Sequence, residues 1–338
     1  MSVMKGDPVA NNSKTLKSDG NSKVFFYFAD HGAPGLVAMP VGGYWYADKL
    51  YETVQYMHQN NMYKEMVMYF EACEGGSMFE NKDYKSLDVY ATTATNGKVS
   101  SWGTYCSPHD KVNGVSVGSC LGDLYSVNWM EDSDAHADKM SETLKTQFDT
   151  VKKETTKSPV QEFGNLDIQK EPIGAFQSTQ TGEVPEHKKF WKLLKSGAKN
   201  LVKDIFDIDE KMAYIKNESA VNSRDIGLHY LYNRVMLDAT PEATNNLTEA
   251  LNARMTVDKR FASLFPVHME AFNKNESPIP TDFDCYRSLI DTYEQSCGKF
   301  DDYSMKYMGV LAAECEGTKS VPENRPKSIA KIQDACKN

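Results

Sequence analysis

The sequence predicts an α/β fold followed by an all-helical region, and three observations carry that prediction. Two continuous apolar runs, one in VFFYFADHG (24–32) and one in MVMYFEACEGG (66–76), each end near glycine. Runs of this length match strands buried on both faces of a parallel sheet. Between them, within 44–66, Leu50, Val54 and Met57 recur at helical spacing, which gives a crossover helix and hence a βαβ unit. From Asp225 onward the apolar residues keep a helical period through IGLHYLYNRVML, ATNNLTEALNARM, FASLFPVHMEAF, CYRSLIDTYEQSC and YSMKYMGVLAAEC.

Taken in order, residues 1–22 are rich in Ser, Asn, Lys and Gly and read as a loop. Strands are expected at 24–29, 66–72 and 87–93. The acidic stretch after Trp129 (Glu131, Asp132, Asp134, Asp138) leads into a helical pattern through Leu144, Phe148 and Val151. Two β-like pieces, VQEFGN and IGAFQS, fall within 158–178 and complete a first domain, 1–178. The segment 179–222 turns basic (EHKKFWKLLKSGAKNLVK) and reads as a linker between domains, with an amphipathic membrane-touching helix as the weaker reading. Residues 223–338 form the helical domain, punctuated by prolines at 241, 266, 278 and 280. Thr240 followed by Pro241 is an N-cap and first-position pair.

The 338 residues are 40% hydrophobic and 25% charged, values ordinary for a globular chain with room for about two domains. A net charge of −9 argues against a general nucleic-acid binder. No apolar run approaches the roughly 18 residues of a membrane helix. Seven cysteines suit one free thiol plus three pairs in an oxidising, secretory compartment. Cys106 and Cys120 flank a loop that a disulfide could close. Cys285, Cys297, Cys315 and Cys336 cluster near the C-terminus, and sequence alone leaves their three connectivities open. Sequons at Asn11, Asn217, Asn246 and Asn275 agree with that compartment, although such triplets also arise by chance.

The βαβ unit would place the ends of its two strands side by side, where open α/β sheets keep their sites. His31 follows the first strand and Cys73 the second. A thiol of ordinary pKa ~8.5 needs a neighbouring base, so this pair has the composition of a thiol-protease dyad. Cys73 would be the nucleophile, and His31 the base that later protonates the leaving amine. The backbone N–H groups of Gly32 and Cys73 could hold the oxyanion. For either residue alone, a structural cysteine or an unrelated histidine is the default reading. No HExxH, GxGxxG, P-loop or Cys/His zinc spacing is found, and Asp132/Asp134 lack the Gly and terminal Glu of a calcium loop. No metal and no cofactor is expected.

The order His, then Glu-Ala-Cys-x-Gly, matches the caspase arrangement. With YFADHG at 27–32, EACEGGSM at 71–78, YATTAT at 90–95, SSWGTYC at 100–106 and CLGDLYSVNWMEDSD at 120–134, the chain resembles the legumain family, the asparaginyl endopeptidases of the caspase-like clan. The resemblance implies a caspase-like three-layer α/β domain followed by an all-α prodomain whose cysteines pair as Cys285–Cys315 and Cys297–Cys336. It implies cleavage after Asn, and after Asp at lower pH, with Glu71, Ser100, Ser101 and Asp123 around the specificity pocket. Self-cleavage at Asn217 or Asn222 would release the prodomain, and peptide ligation is a related activity of the family. Implied partners are protein and peptide substrates with Asn at the cleavage site, the chain's own prodomain and cystatin-type inhibitors. The implied compartment is the lysosome or vacuole. The loop reads Cys-Glu-Gly-Gly where the family more usually has Cys-Glu-Ser-Gly. The opening SVMKGDPVA resembles an internal part of the family's catalytic domain. The sequence is therefore expected to lack a signal peptide, the opening strand-helix-strand portion, and the pocket arginine and catalytic Asn that come from it. A non-catalytic truncated isoform and a GPI-transamidase-like subunit are the rival readings.

Overall fold

The computed structural model describes residues 2–7, 14–136, 138–177 and 215–337. Four strands, β1 (Lys23–Ala29), β2 (Glu65–Glu71), β3 (Val89–Thr93) and β4 (Gln161–Gly164), form its central sheet in that spatial order. The first three are parallel and β4 runs antiparallel to β3. Side chains alternate across the sheet as the pleat requires. Met66, Met68 and Phe70 of β2 enter one apolar core, and Val67 and Tyr69 enter another on the opposite face. β2 is buried almost throughout, as a two-sided strand should be. β1 departs from that expectation. It is an edge strand among the described residues, and most of its side chains are only half-buried, because the covering layers reach the rim of the sheet less fully than its centre.

Helix α1 (Ala47–Gln59) is the crossover between β1 and β2, and its buried stripe is Ala47, Leu50, Thr53, Val54 and Met57. It shares one core with β2. The other face is covered by α2 (Leu124–Ala135) and α3 (Leu144–Glu154) through Tyr125, Trp129, Leu144, Phe148 and Val151. The Thr143 side chain caps α3 by accepting the Thr146 N–H. Of the two β-like pieces, VQEFGN contributes β4, whereas residues Gly174–Gln177 of IGAFQS form a single helical turn. That turn is followed by residues outside the description, and Gly174 and Phe176 within it and Ile173 just before it are buried, so its apolar content reflects packing and not strand pairing.

From Ile226 onward the described residues form six helices: α4 (Ile226–Asp238), α5 (Pro241–Leu264), α6 (Pro266–Asn273), α7 (Phe283–Cys297), α8 (Met308–Gly317) and α9 (Arg325–Ala335). Thr240 caps α5 from its side chain and Pro241 opens it. Disulfides join Cys285 to Cys315, tying α7 to α8, and Cys297 to Cys336, tying α7 to the end of α9. These helices do not form a separate core. Phe283, Tyr286, Leu289 and Ile290 of α7 pack in the same apolar cluster as Leu36, Val37 and Tyr46 of the first domain. Arg287 of α7 binds Asp48 of α1 with two hydrogen bonds of 3.1 and 2.9 Å. Tyr44 donates to Glu294 at 2.6 Å. The basic run at 186–203, the sequon at Asn11 and most of the 179–222 linker lie outside the described residues.

Candidate active site

The parallel register of β1 and β2 aligns Ala29 with Glu71, so the two chain segments leave the sheet side by side and carry His31 and Cys73 two residues further on. The approach is close enough to exclude a side chain at Gly32. A Cβ there would lie 2.2 Å from the Cys73 carbonyl oxygen. Gly32→Ala is therefore expected to displace the loop at Cys73 and to lower the unfolding midpoint measurably, checked by thermal denaturation. Immediately after Cys73, Glu74 takes φ of 51°, the left-handed region that side chains disfavour. Arg224 holds it there. The guanidinium donates to Glu74 Oε2 at 2.8 Å, to the Gly32 carbonyl at 2.5 Å and to the Asp302 carbonyl at 3.1 Å.

A cavity of about 460 Å³ is lined by His31, Glu71, Cys73, Ser101 and Asp123, together with Ser223. Glu71 ends β2, and its Oε2 accepts the N–H and the hydroxyl of Ser126 at 2.8 and 2.9 Å. Ser126 stands in the first turn of α2, whose N-terminus favours the negative charge. Oε1 of Glu71 is buried and has no hydrogen-bond partner among the described residues. Burial, and then repulsion from Asp123, push the Glu71 carboxyl well above the usual range. Asp123 is likewise raised, by burial, against the pull of His31. The pair therefore behaves as an acceptor-rich floor that takes up a proton readily.

Cys73 is almost completely buried, and its Sγ lies 3.5 Å from Ser101 Oγ. Burial raises its thiol above the ordinary value, while Arg224 pulls the other way. His31 Nε2 pairs with Asp302, a residue between α7 and α8, at 3.2 Å. Ser100 lines a second cavity with Lys98, Val99, Trp102 and Arg224, whereas Ser101 lines the cavity of Cys73. Cys106 and Cys120, bonded to each other, close the loop that carries Ser119–Asp123 into the cavity wall.

Residues Val221–Asn222 add an antiparallel strand to Trp102–Thr104, which itself pairs with Gly122–Asp123. Ser223 Oγ then reaches Ser101 Oγ at 3.1 Å. Asn222 does not enter the cysteine cavity; its side chain accepts the Arg224 N–H at 2.9 Å and faces the neighbouring one. Asn217 sits on a helical turn with its amide oxygen bonded to Thr156 at 2.8 Å. Sequence reading did not identify Glu74, Ser126, Arg224 or Asp302. Each acts through a partner 55 or more positions away, and no local pattern marks such pairs.

The chain matches the Peptidase C13 family over residues 1–179 and the legumain prodomain over residues 245–336. It is 34% identical over 345 residues to the vacuolar-processing enzyme delta-isozyme of Arabidopsis thaliana, covering 96% of this chain and 69% of that protein. It is 33% identical over 344 residues to a vacuolar-processing enzyme of Citrus sinensis, covering 96% of this chain and 65% of the relative. The beta-isozyme of Arabidopsis thaliana is 34% identical over 335 residues, with 93% of this chain and 64% of the relative covered. The chain thus spans about two thirds of the length of these relatives, and it belongs to the Peptidase C13, or legumain, family of cysteine peptidases.

Proposed function

We propose that this chain is the zymogen of a cysteine endopeptidase that cleaves after asparagine, and after aspartate at lower pH, through a thioester on Cys73. The observation that carries this reading is the single cavity shared by Cys73, His31, Glu71 and Asp123. In the open enzyme, His31 takes the Cys73 proton, the thiolate attacks the scissile carbonyl, and the imidazolium protonates the departing amine. The Gly32 and Cys73 amides stabilise the oxyanion. Water then hydrolyses the thioester; a second peptide amine in its place gives ligation. The buried acceptor of Glu71, with Asp123 across the pocket, receives the two N–H donors of an asparagine amide.

The zymogen state is supported by what occupies the cleft. Val221–Asn222 pairs as a substrate strand would, and Arg224 and Asp302 engage Glu74 and His31. Residues 1–178 are the peptidase domain, 179–222 the linker with Asn217 and Asn222 as processing points, and 223–338 the helical prodomain. The names of the relatives and the three disulfides support a vacuolar or lysosomal compartment reached through the secretory pathway. Cystatin-type inhibitors would compete for the same cleft.

The test is turnover of matched peptides with Asn or Asp at the cleaved position, after acid treatment of the full chain. Asn peptides are expected to be cleaved across the range. The two carboxylates have raised pKa values, so acidification adds a proton to the pocket, while an ionised Asp substrate is repelled until the pair and substrate share one more proton. The Asp/Asn ratio of kcat/KM should therefore rise by up to about tenfold per pH unit of acidification. Failure to cleave Asn peptides at any pH would overturn the specificity.

A further inference from the structure

On the face of the sheet away from α1, the fold brings together three side chains that the peptidase chemistry does not use. Asp132 lies in the last turn of α2, His136 just beyond its end, and Glu142 in the segment leading to α3. One ligand atom from each falls within 4.8 Å of the other two. His136 Nδ1 stands 2.9 Å from Glu142 Oε2 and 3.8 Å from Asp132 Oδ1, and it donates to the Asp132 carbonyl at 2.9 Å, a hydrogen bond that a bound ion would displace. These separations straddle the ~3.3 Å expected between ligands of a tetrahedral ion with bonds near 2.0–2.1 Å.

An independent observation points to a ligand. The Glu142 carboxylate is only 2% exposed, yet neither of its oxygens has a hydrogen-bond partner among the described residues, and its one contact of opposite charge is His136. Asp132 is also buried, at 6%, and its ion-pair contact there is again His136. Two carboxylates out of water thus share a single imidazole, and a buried charge without compensation is costly.

The surroundings have the form of a supporting shell. Gln147 donates to Asp132 Oδ2 at 3.2 Å, which leaves Oδ1 for the cluster. Gln147 is itself fixed by the Tyr69 hydroxyl of β2 at 2.7 Å. Such outer partners orient metal ligands in known sites. His136, about two-fifths exposed, gives an ion access from solvent.

We propose that Asp132 Oδ1, His136 Nδ1 and Glu142 bind a divalent ion of the zinc class, which pins the end of α2 to the start of α3. The imidazole favours zinc over calcium or magnesium, whose sites are built from oxygen alone. Because α2 begins at the pocket residues Asp123 and Ser126, the ion would brace the helix that forms the pocket floor.

The test is calorimetric titration of zinc into the full chain carrying Cys73→Ala, a substitution that removes the competing thiolate. One equivalent should bind, and the thermal midpoint should rise with zinc concentration. His136→Ala and Glu142→Gln, each added to that background, should weaken this binding by about tenfold or more. His136→Ala changes a half-exposed side chain and Glu142→Gln keeps the side-chain size, so a folded protein is expected from at least one. Absence of binding, or affinity and stoichiometry unchanged in both variants, would overturn the site. Equal competition by calcium would overturn the choice of ion.

Discussion

Replacing Cys73 by alanine is expected to lower kcat by about 10⁴-fold or more while leaving the chain folded. In the proposed mechanism the thioester forms on this sulfur, and alanine offers no nucleophile in its place. The side chain is small and its only hydrogen-bond contact among the described residues is Ser101 Oγ at 3.5 Å, so the thermal midpoint should stay close to that of the parent. A covalent probe directed to asparagine sites should label the acid-treated parent and fail to label the variant. The intact zymogen should alkylate slowly, because burial holds the thiol in its protonated form and the 221–224 segment covers it. Turnover retained by Cys73→Ala would remove the nucleophile assignment.

Arg224→Ala should give the largest loss of stability, about 3–5 kcal/mol, the cost of breaking a buried ion pair from one side. Arg224 is 4% exposed and Glu74 7% exposed, so the carboxylate left behind would be neither paired nor hydrated. The Gly32 and Asp302 carbonyls would lose a donor as well. The sign of the pH dependence follows from Glu74, whose carboxyl is already raised by burial in spite of Arg224. Without the guanidinium it rises further, and the folded variant binds a proton where the unfolded chain is still ionised. The penalty should therefore be fully present at neutral pH and shrink as pH falls through the raised value. Urea unfolding at pH 7.5 and 5 would measure this, with Glu74→Gln in the Arg224→Ala background recovering part of the loss at pH 7.5. The same substitution should speed alkylation of Cys73, since Arg224 ties the 221–225 segment to the nucleophile loop. A midpoint equal to that of the parent would show that the pair does not hold the zymogen closed.

Several elements were legible from residues alone because their signals are local. The apolar runs of β1 and β2 and the Leu50/Val54/Met57 stripe of α1 lie within a few turns of chain, and their order dictates a parallel pair with His31 and Cys73 at its ends. Burial of the edge strand β1 was overestimated, since a run of apolar residues does not say how many layers cover it. IGAFQS has the composition of a strand but packs as a turn, its apolar residues Ile173 and Phe176 being buried in the core that also holds Tyr125 and Trp129. Ser100 and Ser101 are indistinguishable by type, and only the fold assigns them to different cavities.

The sequence by itself determined the fold class and the family, and it singled out His31 and Cys73 as the proposed reacting pair, because short-range periodicity and contiguous motifs specify them. The tertiary structure alone decided three things: the guard of Arg224 and Asp302 over the site, the Ser126 support beneath Glu71, and the juxtaposition of Asp132, His136 and Glu142. Each depends on chain closure bringing together groups on separate segments, and on the burial that then makes their charges strong. Neither the approach of separate segments nor a dielectric environment is written in neighbouring residues.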